Sequence, residues 1–212
     1  MFEQVLPKAA QNALAVLGKS KLLKNSYLAG GTGLALQIGH RVSIDLDFFT
    51  RQKFNARAMM RALADLPLDF QLEREDWGTI LGRLGKTKFS LFSYDYPLLT
   101  NTEKFLDINI ASIKDIAAMK LAAIAERGTK RDFVDLYFIL AKEKILTLGE
   151  ALQLYDKKFK LLRQNKTHLL KAITYFADAE GTDAPRMLKP VAWQEVKKYF
   201  EREVKHLAKQ EF

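Results

Sequence analysis

Residues 26–50 read SYLAGGTGLALQIGHRVSIDLDFFT, and the fold turns on how this stretch is parsed. An apolar run, Tyr27-Leu28-Ala29, enters a Gly30-Gly31-Thr32 turn. A short helix beginning near Thr32 follows, and the chain re-emerges as a strand, Ile44-Asp45-Leu46-Asp47-Phe48-Phe49. Side chains of a strand alternate between its faces, so Asp45 and Asp47 project from one side and Ile44, Leu46 and Phe48 from the other.

Two residues along a strand advance roughly 6.5 Å. Both carboxylates can therefore bind one divalent ion, or a metal pair about 3.5–4 Å apart. A bound cation relieves the repulsion between the two acids. Gly30 and Gly31 allow a tight, left-handed turn and a close approach of the backbone to a ligand. The N–H groups at the helix start, with the positive end of its dipole, favour an anion such as phosphate. Phosphate donors beside metal ligands suit a nucleoside triphosphate carrying Mg²⁺. Either motif alone is common as a solvated pair of acids or an ordinary turn, and it is their combination in strand–turn–helix–strand order that carries the reading.

Gly30-Gly31-Thr32, His40-Arg41 and Ser43-x-Asp45-Leu46-Asp47-Phe48-Phe49 resemble the first motif of the AbiEii/AbiGii toxin family. These are nucleotidyltransferases of the DNA polymerase β-like superfamily, known from abortive-infection toxin–antitoxin systems. Many enzymes of that superfamily place a third metal-binding carboxylate on a neighbouring strand. Glu73, Glu75 and Asp95 are the available acids here, and the strand from Lys88 to Phe92 carries Ser90 where an acid is expected, which leaves the number of metals open.

The 212-residue chain is 48% hydrophobic, enough for a sizeable core in one domain or two small ones. Without cysteine it has no disulfide framework and no thiolate metal site. No run near 18 apolar residues and no secretory leader pattern occurs, so a soluble cytoplasmic protein without membrane contact is expected. A net charge of +9 draws polyanions: nucleic acid, nucleotide phosphates or an acidic partner.

Around the organising stretch, Phe2–Leu23 reads as an amphipathic helix interrupted or started at Pro7, and Asn55 caps a helix that ends by Pro67. Alternating runs at 70–74, 79–84 and 88–94 predict strands joined by hairpins, and 105–111 another strand. Ser112 with Asp115 reads as the capped start of a helix that stops at Gly128. Within that helix Lys120 is flanked one turn away by Ile116, Ala117, Ala123 and Ile124. Either its stem snorkels to the rim or its ammonium is aimed at a triphosphate, and Arg127 shares its face. Thr129 and Asp132 fit a capping box. Asp135, with Phe138 and Ile139 one turn beyond, needs a cation that Lys120, Arg127 or Arg131 could supply.

Met119-Lys120-Leu121-x-Ala123-x-x-x-Arg127 and Arg131-Asp132-Phe133-x-Asp135-Leu136-Tyr137 are similar to the downstream motifs of the same family. The resemblance spans residues 26–140. It implies that Asp45 and Asp47 bind Mg²⁺ or Mn²⁺, that Gly30, Gly31, Thr32, Lys120 and Arg127 hold the NTP, and that Asp135, with Asp132 second, is the later active-site acid. Beyond Leu148 the chain is helical and basic. Its lysines 157, 158, 160, 197, 198 and 205 with Arg163 form either a solvated face or an RNA-facing groove.

The expectation is an α+β protein with a polymerase β-like mixed or antiparallel sheet and packed helices. Residues 1–111 would form the nucleotidyltransferase module and 112–212 a helical bundle completing the active-site cleft. The resemblance implies transfer of a nucleoside monophosphate from an NTP to RNA, with the acceptor end of tRNA as the candidate, by a toxin restrained by an antitoxin. A protein or small-molecule acceptor, or a non-catalytic NTP-binding regulator, are the alternatives.

Overall fold

The computed structural model describes residues 1–160 and 166–210. The chain divides into two compact units, Met1–Ser112 and Ile113–Phe212. The first contains α1 (Lys8–Ser20), β1 (Tyr27–Leu28), α2 (Gly30–Ile38), β2 (Leu46–Thr50), α3 (Ala56–Ala64), β3 (Phe70–Asp76), β4 (Thr79–Leu84), β5 (Thr87–Ser93), β6 (Glu103–Phe105) and β7 (Ile108–Ile110). Its seven strands form a mixed sheet in the order β3-β4-β5-β2-β1-β7-β6. The β1–β7 and β2–β5 pairs are parallel, the others antiparallel.

Local chemistry explains the elements. Pro7, with φ fixed near the helical value, precedes α1 and leaves a separate 3-10 turn at Glu3–Val5, so the predicted single helix is two pieces. Ala10, Ala13, Leu14 and Leu17 recur at helical spacing and are buried. The Asn55 side chain accepts from the Ala58 N–H at 3.0 Å and starts α3 as expected. In β2, Leu46 and Phe48 are fully buried, and the Phe48 ring packs 5.8 Å from that of Phe89 on β5. The 105–111 run is not one strand. Leu106 and Asp107, both left-handed, fold it into the β6–β7 hairpin.

The second unit is helical. It contains α4 (Ile113–Glu126), α5 (Lys130–Tyr137), a π-helical turn (Phe138–Lys142), α6 (Leu148–Lys158), α7 (Lys166–Ile173), α8 (Ala177–Glu180) and α9 (Trp193–Gln210). Helix α4 packs on α5, α6 and α7. It ends where expected: Gly128 has φ +52° and its N–H donates to the Ala123 oxygen at 3.1 Å. Phe133 of α5 anchors an aromatic core with Phe176, Trp193 and Phe200 at centroid distances of 5.2, 5.9 and 5.7 Å. Arg163 lies outside the described residues. Among the described residues no helix is long and apolar enough to cross a membrane.

Gly18 of α1 is closely covered: a Cβ there would lie 1.8 Å from the Leu106 carbonyl oxygen at the β6–β7 turn. Gly18→Ala should gain the helix propensity of alanine yet lose more by pushing the hairpin off α1. A net destabilisation of about 1–3 kcal/mol in urea unfolding is expected, the range for overpacking a core.

Candidate active site

The first cluster is built by the β1–α2–β2 unit. Helix α2 starts two residues earlier than the sequence reading placed it, at Gly30, whose φ is +60°. Ala29, at the N-cap, has no side-chain oxygen and no side-chain cap, so the amides of the first turn are not capped from within. Gly30 sits directly on a metal-ligand candidate: a Cβ there would stand 3.2 Å from Asp47 Oδ2. Gly31 faces a cation instead, since its Cβ would fall 1.9 Å from Nη2 of Arg41. Any larger residue at position 31 would displace that buried guanidinium.

Thr32 closes the unit. Its buried hydroxyl donates to the main-chain oxygen of Asp45 at 2.5 Å and lies 2.8 Å from the Ser43 hydroxyl. The Ala29 N–H donates to the Asp47 oxygen at 3.1 Å. Glycine turn and acidic segment are thereby held in one register.

Asp45 precedes β2 rather than lying in it, and Ile44 is 52% exposed, so the expected alternation fails at Ile44. It holds from Asp45 onward: Asp45, Asp47 and Phe49 are half-buried while Leu46, Phe48 and Thr50 are buried. Oδ1 of Asp45 is shielded from solvent. Asp47 pairs across to Ser90 on β5, so the strand position facing it carries a hydroxyl where a third acid was expected. Glu73 and Glu75 lie on β3, at the far edge of the sheet beyond β5 and β4, and Asp95 is exposed after β5. No group of three potential metal ligands occurs among the described residues.

Two features here escaped the sequence reading. One is the contact of Arg41, a residue of the first motif, because nothing in its spacing announces that it packs on Gly31. The other is a row of aromatic rings continuing from the acids, with Tyr27 buried and Phe49, Phe92 and Tyr94 half-buried. Phe49 stacks on Tyr27 and Phe92 at 5.9 and 5.2 Å and meets Tyr94 edge-on at 5.0 Å.

The second cluster lies in the helical unit. Lys120 is 5% exposed, which rules out the snorkelling alternative. Its Nζ is 2.9 Å from Asp132 Oδ1 and 2.6 Å from Asp135 Oδ2, both acids being essentially inaccessible. Lysine is thus the cation Asp135 needs. An ammonium has three N–H donors, of which these contacts use two. Arg127, its side chain 62% exposed, reaches Asp132 Oδ2 from Nε at 3.1 Å. The Thr129 hydroxyl donates to the same oxygen at 2.7 Å. The expected capping box is therefore corrected: Thr129 spends its hydroxyl on the Asp132 carboxylate, and that carboxylate faces Lys120 and Arg127. Burial alone would raise the Asp132 pKa, but the Lys120 charge, the Arg127 hydrogen bond and charge and the Thr129 hydroxyl outweigh it and hold it at about 2.

A second buried pair was read differently from sequence. Asp115, expected as the partner of a Ser112 cap, is fully buried and accepts from Lys158 Nζ at 2.8 Å, with both side chains at 0% exposure. Lys158 therefore lines no RNA-facing groove.

The pH dependence follows from the lowered Asp132 pKa. A depressed folded-state value stabilises above the unfolded value near 3.8, and the gain is lost as pH falls from about 4 toward 2. Lys120→Met leaves two buried carboxylates without their shared cation and should cost about 3–5 kcal/mol at pH 7. The deficit should shrink toward pH 4, as the acids take up protons in the variant at higher pH than in the wild type. Urea unfolding across this range measures it. A pH-independent deficit would show that the loss is packing rather than charge.

The chain matches the family model for the nucleotidyl transferase AbiEii toxin of type IV toxin–antitoxin systems over residues 12–79 and 90–211. It is 37% identical over 209 residues to the uncharacterized protein aq_aa25 of Aquifex aeolicus (strain VF5), covering 94% of this chain and 96% of that one. Among solved structures, JHP933 of Helicobacter pylori is similar with a TM-score of 0.53 at 21% identity, covering 97% and 96% of the two chains. The nucleotidyltransferase toxin MenT4 (Rv2826c) of Mycobacterium tuberculosis H37Rv gives 0.57 at 16% identity, covering 94% and 86%. At such identities the structures speak for the fold, and the family model for membership. The chain belongs to the AbiEii nucleotidyltransferase toxin family, and is a nucleotidyltransferase with that family's mixed-sheet fold.

Proposed function

We propose that this enzyme transfers a nucleoside monophosphate from an NTP to a hydroxyl of RNA, the acceptor end of tRNA first among candidates, with release of pyrophosphate. The observation that carries the reading is the contact between Gly30 and Asp47: a helix N-terminus without a side-chain cap lies against a half-buried carboxylate. Phosphate donors and metal ligands are adjacent there, as a Mg²⁺-bound triphosphate requires.

The donor set fits one Mg²⁺ ion. Asp45 and Asp47 would supply carboxylate oxygens, and magnesium bound through one or two carboxylates characteristically takes its other ligands from substrate phosphates and water. When bound, the ion would neutralise triphosphate charge and lower the pKa of the attacking hydroxyl. The Gly31 and Thr32 amides would hold phosphate oxygens, and the buried Arg41 guanidinium against Gly31 adds positive charge beside them. In the helical unit, Lys120 keeps one N–H beyond its two carboxylates and Arg127 an exposed edge, and both are taken as nucleotide contacts on the strength of the family's downstream motifs alone. Asp135 and Asp132 act as positioning residues, fixing the ammonium between two carboxylates. The +9 charge favours an RNA acceptor over a neutral small molecule. A toxin with this activity works on cytoplasmic tRNA and is countered by a cognate antitoxin, as the type IV class implies.

Incubation with labelled NTPs, Mg²⁺ and total tRNA tests the reading. Label fixed on RNA is expected. Label on protein would move the acceptor to a side chain, and bound but unchanged nucleotide would make the protein a regulator. Asp45→Asn and Asp47→Asn should each lower transfer by about 10²–10³-fold or more with the circular dichroism spectrum unchanged. Wild-type transfer in either variant would overturn the metal assignment.

A further inference from the structure

A groove of the helical unit is separate from the Lys120 cluster in its lining and in its charges. It holds about 1030 Å³ between two walls: the π-helical turn with the loop to Thr147, and one face of α9. Glu195 on α9 ties the walls together by accepting hydrogen bonds from Tyr137 Oη and, at 2.8 Å, from Lys142 Nζ. The π turn, marked by the Glu143 N–H donating five residues back to the Phe138 oxygen at 2.9 Å, places Lys142 for this contact.

The acids of this groove are already engaged. Glu195 is held as above, Glu203 takes Arg202 at 2.9 Å, and Glu150 closes a capping box with Thr147. Two exposed cations are not: among the described residues, the ammonium groups of Lys144 and Lys198 have no hydrogen bond or ion pair. Arg202, one turn beyond Lys198 on the same face of α9, lies 5.3 Å over the Tyr199 ring and keeps 70% of its side chain exposed. One turn is roughly 6 Å of helix axis, which spans one to two steps of a nucleic-acid strand whose charges recur about every 3.4 Å. Lys144 stands opposite, in the loop, with φ +51°. A glycine takes this left-handed conformation freely, whereas a lysine there costs about 1–2 kcal/mol.

We propose that this groove docks the phosphate backbone of the RNA acceptor, with Lys144, Lys198 and Arg202 as the phosphate contacts. The inference rests on the RNA-acceptor reading above but uses none of the residues assigned to transfer. An open groove with separated cations fits a polyanionic chain better than a single nucleotide.

The left-handed lysine makes the test sharp, because Lys144→Gly removes the charge and relaxes the backbone together. Fluorescently labelled total tRNA is titrated with the full chain, without NTP, over 50–200 mM KCl, and melting temperatures are recorded in parallel. Lys144→Gly should melt higher than wild type yet bind tRNA about 3–10-fold more weakly, with a salt slope smaller by about one. Lys198→Gln should weaken binding by a similar factor with its melting temperature unchanged. Wild-type affinity and slope in both variants overturn the groove while leaving the transfer reading standing. Conversely, Lys144-dependent tRNA binding by a protein that labels no RNA overturns the transfer reading and keeps the groove.

Discussion

The first unit depends on a short set of bonds that lock a helix start to a strand start. The Thr32 hydroxyl holds the Asp45 carbonyl, the Ala29 amide holds the Asp47 carbonyl, and Gly30, left-handed, lets the helix N-terminus close on the Asp47 carboxylate. These are backbone-level constraints, so the site is as rigid as the sheet beneath it, where Leu46 and Phe48 are fully buried. The position of the acids is therefore set by the core. A half-buried carboxylate pair is electrostatically unfavourable unless cations come near. The proposed metal would bring one, beside a helix start where the buried Arg41 guanidinium packs on Gly31.

Charge in the helical unit is handled by burial with full pairing. Lys120 between Asp132 and Asp135, with Arg127 and Thr129 completing Asp132, satisfies the oxygens of a carboxylate that is almost inaccessible. Lys158 and Asp115 form a second inaccessible pair. Buried pairs of this kind contribute little net stability compared with apolar packing, yet losing one partner is costly. Two such arrangements in one small bundle are therefore better explained by position than by stability. The first fixes an ammonium and presents the Arg127 guanidinium at the surface. The second ties the end of α6 to the first turn of α4.

Much of this was legible in the sequence because it is periodic or locally encoded. The alternation of 70–74, 79–84 and 88–94 gave three strands, Asn55 gave a cap, and Gly128 gave a helix end. The family's motifs brought Lys120, Asp132 and Asp135 together on paper, and they touch in space. What was not legible is tertiary. A capping box and a buried ion pair share the same local spelling at Thr129–Asp132, and only the side chains packed opposite decide between them. Lys158 looked like one more member of a basic face because periodicity cannot say which lysine meets an acid on another helix. Gly31 against Arg41, and the aromatic row beyond Asp47, are contacts between segments whose spacing carries no signal.

The register of β5 bears on the chemistry more directly than any of these. Parallel pairing sets Ser90 opposite Asp47 and Phe92 opposite Phe49, so the strand that could have supplied a third carboxylate supplies a hydroxyl and then a ring. A slip of one residue would turn the buried Phe89 or Leu91 toward the acids and expose their apolar side chains, so packing against Phe48 and Ile80 forbids it. With its two assigned acids on one segment, the proposed site would have the charge to hold one hard cation and would leave the remaining coordination to the triphosphate. Metal and nucleotide would then bind as a unit, each completing the other's ligands, and affinity for the ion alone would be weak. The aromatic row that replaces further acids gives this face of the sheet ring surfaces where a second metal's ligands would otherwise stand.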